Sequence, residues 1–479
     1  MRVLGGTTHG ASARFSAVRL VGAVLGAALG LGVAGGTARA AILQQFQGGT
    51  SAVSGYVPPD MGGAVGNGYV VQLLNGVATI DSTTGTQVSQ TSLNTFFGGI
   101  GGQLSDPRII FDPSSQRWFA SAITVPGGSN SNPNSVLVAV SAGANPTGGF
   151  TTLSFASASN ATFADFPTLG VNGAAVTIGT NDFSTSTSSY LGSSLYSIPK
   201  SSLTAATPTL ANQSSFIQTS NVGVAPQAVT NATTGGTSTT VLSVGVTGTT
   251  AVYTVSTVSG ANAAGATLAR GNLYAQLFNN APVAPTQPGG VTYDPGDNRI
   301  GSGAYQVGNN IYFANTVSSG TQDQIAWNVL NTATQTVTTG LIGISGLDLT
   351  YGSISANANG TFVVAFNGSG SSQNITDYYE ICSAVTGACG APQIAYTSPA
   401  SNYSNAPGGT NRWGDYSWTT VDPTNPANFW LFQEYALTNS SWGTVITQIG
   451  TAVPEPAAIA MLGFGLVGLG LVRRRTGRV

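Results

Sequence analysis

The sequence predicts an all-β chain, a β-propeller of about seven four-stranded blades, and three observations carry that prediction. Asn67-Gly68, Asn172-Gly173, Asn309-Asn310 and Asn359-Gly360 each stand between runs of β-branched, aromatic or small apolar residues. Asn-Gly in that setting is the strongest short hairpin signal, because a two-residue type I′ turn needs positive φ at both positions. The strand after each turn then ends at an asparagine: Asn75, Asn181, Asn315 and Asn367. A second hairpin follows, as in residues 77–81 with a turn at Thr84-Gly85 and residues 378–382 with a turn at Thr386-Gly387. One unit is therefore a four-stranded meander of about fifty residues, and the spacing leaves room for others near Asp106, near Asn221 and after Asn411. About seven units fit between residues 62 and 450. Small sheets at this period bury their faces against one another around a ring. A β-helix or tandem sandwiches are the other architectures that the pattern allows. No segment of the body reads as an amphipathic helix.

Composition narrows the function. Only 6% of the 479 residues are charged, against roughly 25% in ordinary soluble domains, so the surface is built from Ser, Thr, Asn, Gln and Gly. Nucleic-acid binding is excluded, since it draws on clustered Lys and Arg and the chain has one lysine, Lys200.

Both ends differ from the middle. In residues 1–40, Arg2, Arg14 and Arg19 precede an apolar run, and Ala38-Arg39-Ala40 is a small-x-small cleavage site, the pattern of a secretory signal with its helix. Residues 41–452 form the propeller body. Residues 453–479 begin Val453-Pro454-Glu455-Pro456, continue through sixteen apolar residues and end in Arg473, Arg474, Arg475 and Arg478. As a transmembrane helix the apolar run spans roughly 24 Å, a little short of a ~30 Å hydrocarbon core. The arginines would hold that end on the cytoplasmic side.

That tail looks like the PEP-CTERM sorting signal of Gram-negative bacteria. The resemblance implies an exported protein whose tail is processed by a membrane-embedded exosortase, its body released or anchored at the cell surface or in an exopolysaccharide matrix. A plain C-terminal anchor is the alternative. Several body segments also resemble secreted bacterial proteins with predicted seven-bladed propellers, often labelled sialidase-like: Pro58-Pro59-Asp60, Asp106-Pro107-Arg108, Ala164-Asp165-Phe166-Pro167 and Arg412-Trp413-Gly414-Asp415-Tyr416. The repeated Ser-x-Asp-x-Gly-x-Thr-Trp boxes of sialidases are absent from the sequence.

Without its two ends the body keeps six basic and fifteen acidic residues, a formal net charge of −9, and no histidine, because His9 lies in the signal. Ser-His-Asp and Cys-His nucleophiles and His-held zinc or haem are thereby excluded. Oxygen-ligated Ca²⁺ remains allowed as a cofactor. Cys382 and Cys389 form an even pair in an exported chain and read as a disulfide closing the hairpin at Thr386-Gly387.

The candidate site is a rim cluster. Asp60, Asp106, Asp165 and Asp415 each stand just before an expected inner strand, so a propeller gathers them near its axis, with Arg108 and Arg412. They serve either as caps and blade-to-blade staples or as a ligand or Ca²⁺ site. The loop Asp294-Pro-Gly-Asp297-Asn298-Arg299 reads as an Asx-type turn, and Asp112 to Trp118 as a hairpin loop packed on its blade. The tryptophans either fill wedges between blades or stack on sugars. Two function classes follow: a non-catalytic structural or glycan-binding surface protein, or a carboxylate-dependent glycan-active enzyme with a pair such as Asp106 and Asp415.

Overall fold

The computed structural model describes residues 41–232, 235–247, 250–275, 280–406 and 410–451. The expected signal helix and C-terminal membrane helix lie outside the described residues. Among the described residues, no helix is long and apolar enough to cross a membrane.

Seven antiparallel blades follow one another. Blade 1 comprises Gly62–Gly66, Tyr69–Leu74, Val77–Ser82 and Gln87–Ser92, and blade 2 comprises Gln103–Asp112, Arg117–Val125, Ser135–Ser141 and Phe150–Ala156. Blade 3 has an inner strand split into Thr162–Asp165 and Gly170–Val171, followed by Ala175–Ser184, Tyr190–Pro199 and Ser214–Phe216. Blade 4 runs Gln227–Thr230, Ser238–Thr247 and Thr250–Ser259, with an outer strand in two pieces, Thr267–Ala269 and Leu273–Ala275. Blade 5 is Ala304–Val307, Asn310–Ser318, Asp323–Asn331 and Thr336–Ile342. Blade 6 is Asp348–Ala356, Thr361–Gly370 and Gln373–Ser383, edged by Ala388–Cys389 and Gln393–Thr397. Blade 7 is Trp418–Val421, Asn428–Thr438 and Ser441–Gly450. Each inner strand contacts the inner strand of the next blade, and the first contacts the last, so the ring closes.

The fourth strand of blade 7 is Ala41–Thr50, which pairs antiparallel with Ser441–Gly450 from Ala41 opposite Gly450 to Thr50 opposite Gly443. The units therefore do not all lie between residues 62 and 450, as the sequence suggested; the last borrows its outer strand from the start of the body. This strand joins the two chain ends and covers an edge that would otherwise be open. We call the face at which the inner strands begin the upper face, and that at which they end the lower face.

The turns refine the hairpin expectation. Asn67 and Gly68 have φ of 49° and 80°, as a type I′ turn requires. At the next expected position the Asn172 carboxamide accepts from the Ala174 and Ala175 amides. Asn357 plays that part before Asn359-Gly360. In blade 5 the strands end at Val307 and resume at Asn310, so Gly308-Asn309 makes the turn, one residue earlier than the sequence indicated. An Asx turn satisfies the loop amides from a side chain and removes the need for positive φ at both central positions.

Of the four asparagines expected to end strands, only Asn75 does so, directly after Tyr69–Leu74; Asn181, Asn315 and Asn367 lie inside Ala175–Ser184, Asn310–Ser318 and Thr361–Gly370, and there they staple blades. Asn75 donates to the Pro58 carbonyl and to Asp60 and accepts from the Asp106 amide at 2.9 Å, tying blade 1 to blade 2. Asn181 accepts from the Ala225 amide at 2.8 Å, tying blade 3 to blade 4. Asn367 donates to the Glu434 carbonyl and accepts from Trp413 Nε1, tying blade 6 to blade 7. The amides held at residues 106 and 225 belong to left-handed residues, with φ of 56° and 49°, a conformation non-glycine residues keep only where their surroundings impose it.

Trp118, Trp413, Trp418, Trp430 and Trp442 are fully buried, and Trp327 nearly so. They pack in the wedges between blades. The disulfide forms between Cys382 and Cys389 across the expected hairpin. In the Asp112 loop the carboxylate accepts from the Ser114 and Ser115 amides and pairs with Lys200 of blade 3 at 2.9 Å.

Candidate functional site

The upper mouth of the ring is built where inner strands break. The sequence placed all four aspartates before inner strands; this holds for Asp60 and Asp415. Asp106 instead lies inside Gln103–Asp112, at a bulge between Ser105 and Arg108, and Asp165 ends the first piece of the split strand. A bulge turns the chain out of the ladder, and at both places a proline follows, Pro107 directly and Pro167 after Phe166. The carboxyls are thereby aimed at the axis.

The predicted residues do come together. Asp60 accepts from Asn75 Nδ2 at 2.6 Å and from the Asp415 amide at 3.0 Å, a contact that joins blade 1 to blade 7. Asp106 accepts from Tyr416 OH at 2.9 Å, from the Phe166 amide at 3.2 Å and from Ser105 Oγ at 2.8 Å. Arg412 reaches both oxygens of Asp415, at 2.7 and 2.9 Å, and Asp294 at 3.3 Å. Arg108 is placed differently: it is wholly buried beneath the cluster. Its Nη1 donates across the axis to the Gly301 carbonyl at 2.9 Å. The guanidinium carbon lies 3.6 Å from the Tyr416 ring centre, with Phe166 and Trp418 at 5.2 and 5.3 Å.

Arg108 and Tyr416 thus plug the channel and separate two mouths. Above lies a polar cavity of about 270 Å³ lined by Asp165, Asp294, Asp297, Asp415, Arg299 and Arg412, among others. Beside it Asp60, Asp106 and Asn75 line a second hollow of about 250 Å³ that shares Asp165, Arg412 and Asp415. Below the plug a smaller cavity of about 110 Å³ is mainly apolar, walled by Val65, Phe111, Val307, Ala356, Trp418 and Val421 among others.

Crowded carboxyls in a dry site resist ionisation. Burial, reinforced by the charge of Asp106, pushes the partly exposed Asp165 carboxyl up to about 7. Burial raises Asp415 to about 6 against the pull of Arg412. Burial, with Asp415 and Asp106 beside it, holds Asp60 well above the usual carboxylate range. Burial likewise lowers the Arg108 guanidinium from its ordinary value.

Sequence reasoning missed several members. Glu434 and Asp377 are buried behind the mouth and held well above the carboxylate range by burial, each with one oxygen lacking a hydrogen bond. An acid inside the apolar run Trp430-Leu-Phe-Gln-Glu-Tyr435 was the available signal for Glu434. The Asp294 loop is the expected Asx turn, Asp294 accepting from the Gly296 amide at 3.0 Å; its place over the channel, bridged to Arg412, was not expected. Among the described residues, the only grouping of three metal-capable side chains is Glu380 with Cys382 and Cys389, and those sulfurs are bonded to each other.

No curated protein matches the chain. Similar solved structures include a Trypanosoma rangeli sialidase bound to the inhibitor DANA, at 10% identity and a TM-score of 0.39, over 84% of this chain and 60% of that one. A Penicillium chrysogenum α-L-arabinanase complexed with arabinobiose matches at 10% identity and a TM-score of 0.38, over 85% and 99%. The β-propeller domain of the Trilobed protease from Pyrococcus furiosus matches at 8% identity and a TM-score of 0.35, over 82% and 95%. The model of the PEP-CTERM protein-sorting motif matches residues 452–475. The chain therefore carries at its C-terminus the sorting motif of exported proteins that are handed to an exosortase.

Proposed function

We propose that the body is a non-catalytic, glycan-binding or structural propeller of the cell surface or extracellular matrix, with its polar upper mouth as the ligand-facing site. The tail either anchors it in the membrane or is removed by exosortase. One observation carries this reading: the mouth carboxylates are engaged in holding blades together. Asp60 and Asp106 accept five hydrogen bonds between them, three of which cross from one blade to another, and Arg412 is taken up by Asp415 and Asp294. A general acid or base must instead face the bond it protonates. The weakly charged polar exterior suits contact with hydrated polysaccharide, and Ca²⁺ has no assigned role.

A second reading is a glycan-active hydrolase or lyase using Asp165 and Asp415. It is favoured by the placement of both on one cavity with carboxyls raised to about 7 and 6, where a protonated acid is available near neutral pH. The exported protein incubated with neutral and acidic polysaccharides, with and without EDTA, tests both. Retention on polysaccharide without new reducing ends is expected. Release of reducing ends that vanishes in Asp165→Asn overturns the non-catalytic reading.

A further inference from the structure

The two faces of the ring differ in charge, and the tail leaves from only one of them. Ser441–Gly450 runs from the upper to the lower face, where Gly450 lies between Ala41 and Asn428. Thr451 donates its amide to the Ala427 carbonyl in the hairpin loop that follows Val421. The sorting motif starts at the next residue, 452. Thr451, the last described residue before the motif, therefore lies on the lower face beside Ala427.

Carboxyls are sparse on that face. Its acids are Asp81, Asp112, Glu380 and Asp422. Asp112 is bridged to Lys200, and Asp422 accepts from the Thr424 and Asn425 amides and from Trp430 Nε1. Asp81 and Glu380 are buried, and burial pushes them up to about 6 and 7. The other acids of the body lie in the upper half of the ring, among them Asp294, Asp297, Asp323, Asp348 and the mouth cluster. Ile42, Leu43 and Val385 are exposed at the lower end of blades 6 and 7, at 43%, 52% and 79%, close to where the tail departs.

We infer that the lower face is a membrane-apposed surface: while the tail is retained, the ring lies with this face against the bilayer and its acidic mouth turned away. An anionic membrane surface repels the acid-rich face and accepts the near-neutral one. The polar mouth then opens towards matrix polysaccharide, not lipid. This inference rests on the membrane attachment proposed above.

Blade 6 supplies a ruler for the test. Ala358 is exposed in its lower inner turn and Ser372 in its upper turn, at opposite ends of Gln373–Ser383 and its neighbours, roughly 33 Å apart at about 3.3 Å per residue. Ala358→Cys and Ser372→Cys in the full chain are each labelled with a donor dye, and the protein is held by its tail in vesicles carrying an acceptor on the lipid headgroup. Energy transfer several-fold stronger from position 358 than from 372 is expected, with the difference abolished when the tail is cleaved. Equal or inverted transfer from membrane-held protein overturns the orientation while leaving attachment intact. Failure of the full chain to stay with the vesicles overturns the attachment itself, and the orientation with it.

Discussion

The guanidinium carbon of Arg108 sits 3.6 Å from the centre of the Tyr416 ring, and each residue reaches across the axis, Arg108 to Gly301 and Tyr416 to Asp106. One stacked pair therefore links blades 2 and 7 to each other and to the loop before blade 5. Buried cation stacking is worth about 2 kcal/mol when desolvated, and Arg108 also interacts electrostatically with Asp106 and Asp60. Arg108→Ala should cost about 3 kcal/mol or more of stability, the range for removing one partner of a buried charge arrangement. Arg108→Lys should recover only part of this, since an ammonium cannot lie flat on the ring as a guanidinium does. Urea unfolding monitored by tryptophan fluorescence measures both; an unchanged midpoint in Arg108→Ala would remove the plug from the account.

Asn75 makes a second, independent prediction. Its carboxamide holds Asp60, the Pro58 carbonyl and the left-handed Asp106 amide at once. Asn75→Ala leaves buried polar groups without partners, which costs about 2–3 kcal/mol. Asn145→Ala, which removes only exposed contacts to Thr147 within one turn, should cost under about 1 kcal/mol. Equal losses in the two variants would mean that the repeated asparagines close local turns and do not staple blades.

The contrast between these residues explains what was legible in sequence. The asparagines and the hairpin turns recur at similar places in several blades, and the aspartates of the mouth lie in or just before inner strands, so their pattern shows in a linear reading. Arg412, two residues from Gly414-Asp415, is caught with them. Arg108 was grouped with the rim because it neighbours Asp106, but the bulge between Ser105 and Arg108 turns the two side chains to different levels of the channel. Asp294 joins the mouth through Arg412, Glu434 through the Gly414 amide, and Asp377 lies behind it on Asn367, contacts that no spacing announces. The closing strand Ala41–Thr50 was hidden because its partner lies some four hundred residues away.

Stability should fall as the solution becomes more alkaline. Asp165, Asp415, Asp323 and Asp81 have folded-state values of about 7, 6, 6 and 6, all above the usual 3.8 of an unfolded aspartate. Between these limits the folded chain binds more protons than the unfolded one, so the unfolding free energy decreases with rising pH. The contribution is complete below about pH 4 and is lost as pH passes 6 to 7. Asp112, lowered by its hydrogen bonds from Ser115 and Lys200 despite partial burial, acts in the opposite sense at the acid end. The expected result is a higher Tm at pH 5 than at pH 8, with a smaller difference in Asp165→Asn. A Tm that rises steadily from pH 5 to pH 8 would contradict the arrangement of buried, protonated carboxyls.

Ring closure gives the most direct test of the architecture. Ala41–Thr50 covers the edge of Ser441–Gly450, Phe46 packs edge-on against Trp430 at 6.3 Å, Gln45 donates to the Ala395 carbonyl of blade 6, and the Gly49 amide donates to Gln72 of blade 1. The strand thus fastens blade 7 internally and to both neighbours. Its first residue follows directly on Ala38-Arg39-Ala40, the small-x-small sequence read above as a cleavage site. Deleting residues 41–50 exposes a ten-residue strand edge, a ready template for pairing with another chain, and should yield an aggregating body with a lowered, broadened unfolding transition. A peptide of residues 41–50 added during refolding should restore monomer and Tm by reoccupying the edge. A deletion variant that stays monomeric with an unchanged transition would mean that blade 7 holds the ring shut with three strands alone.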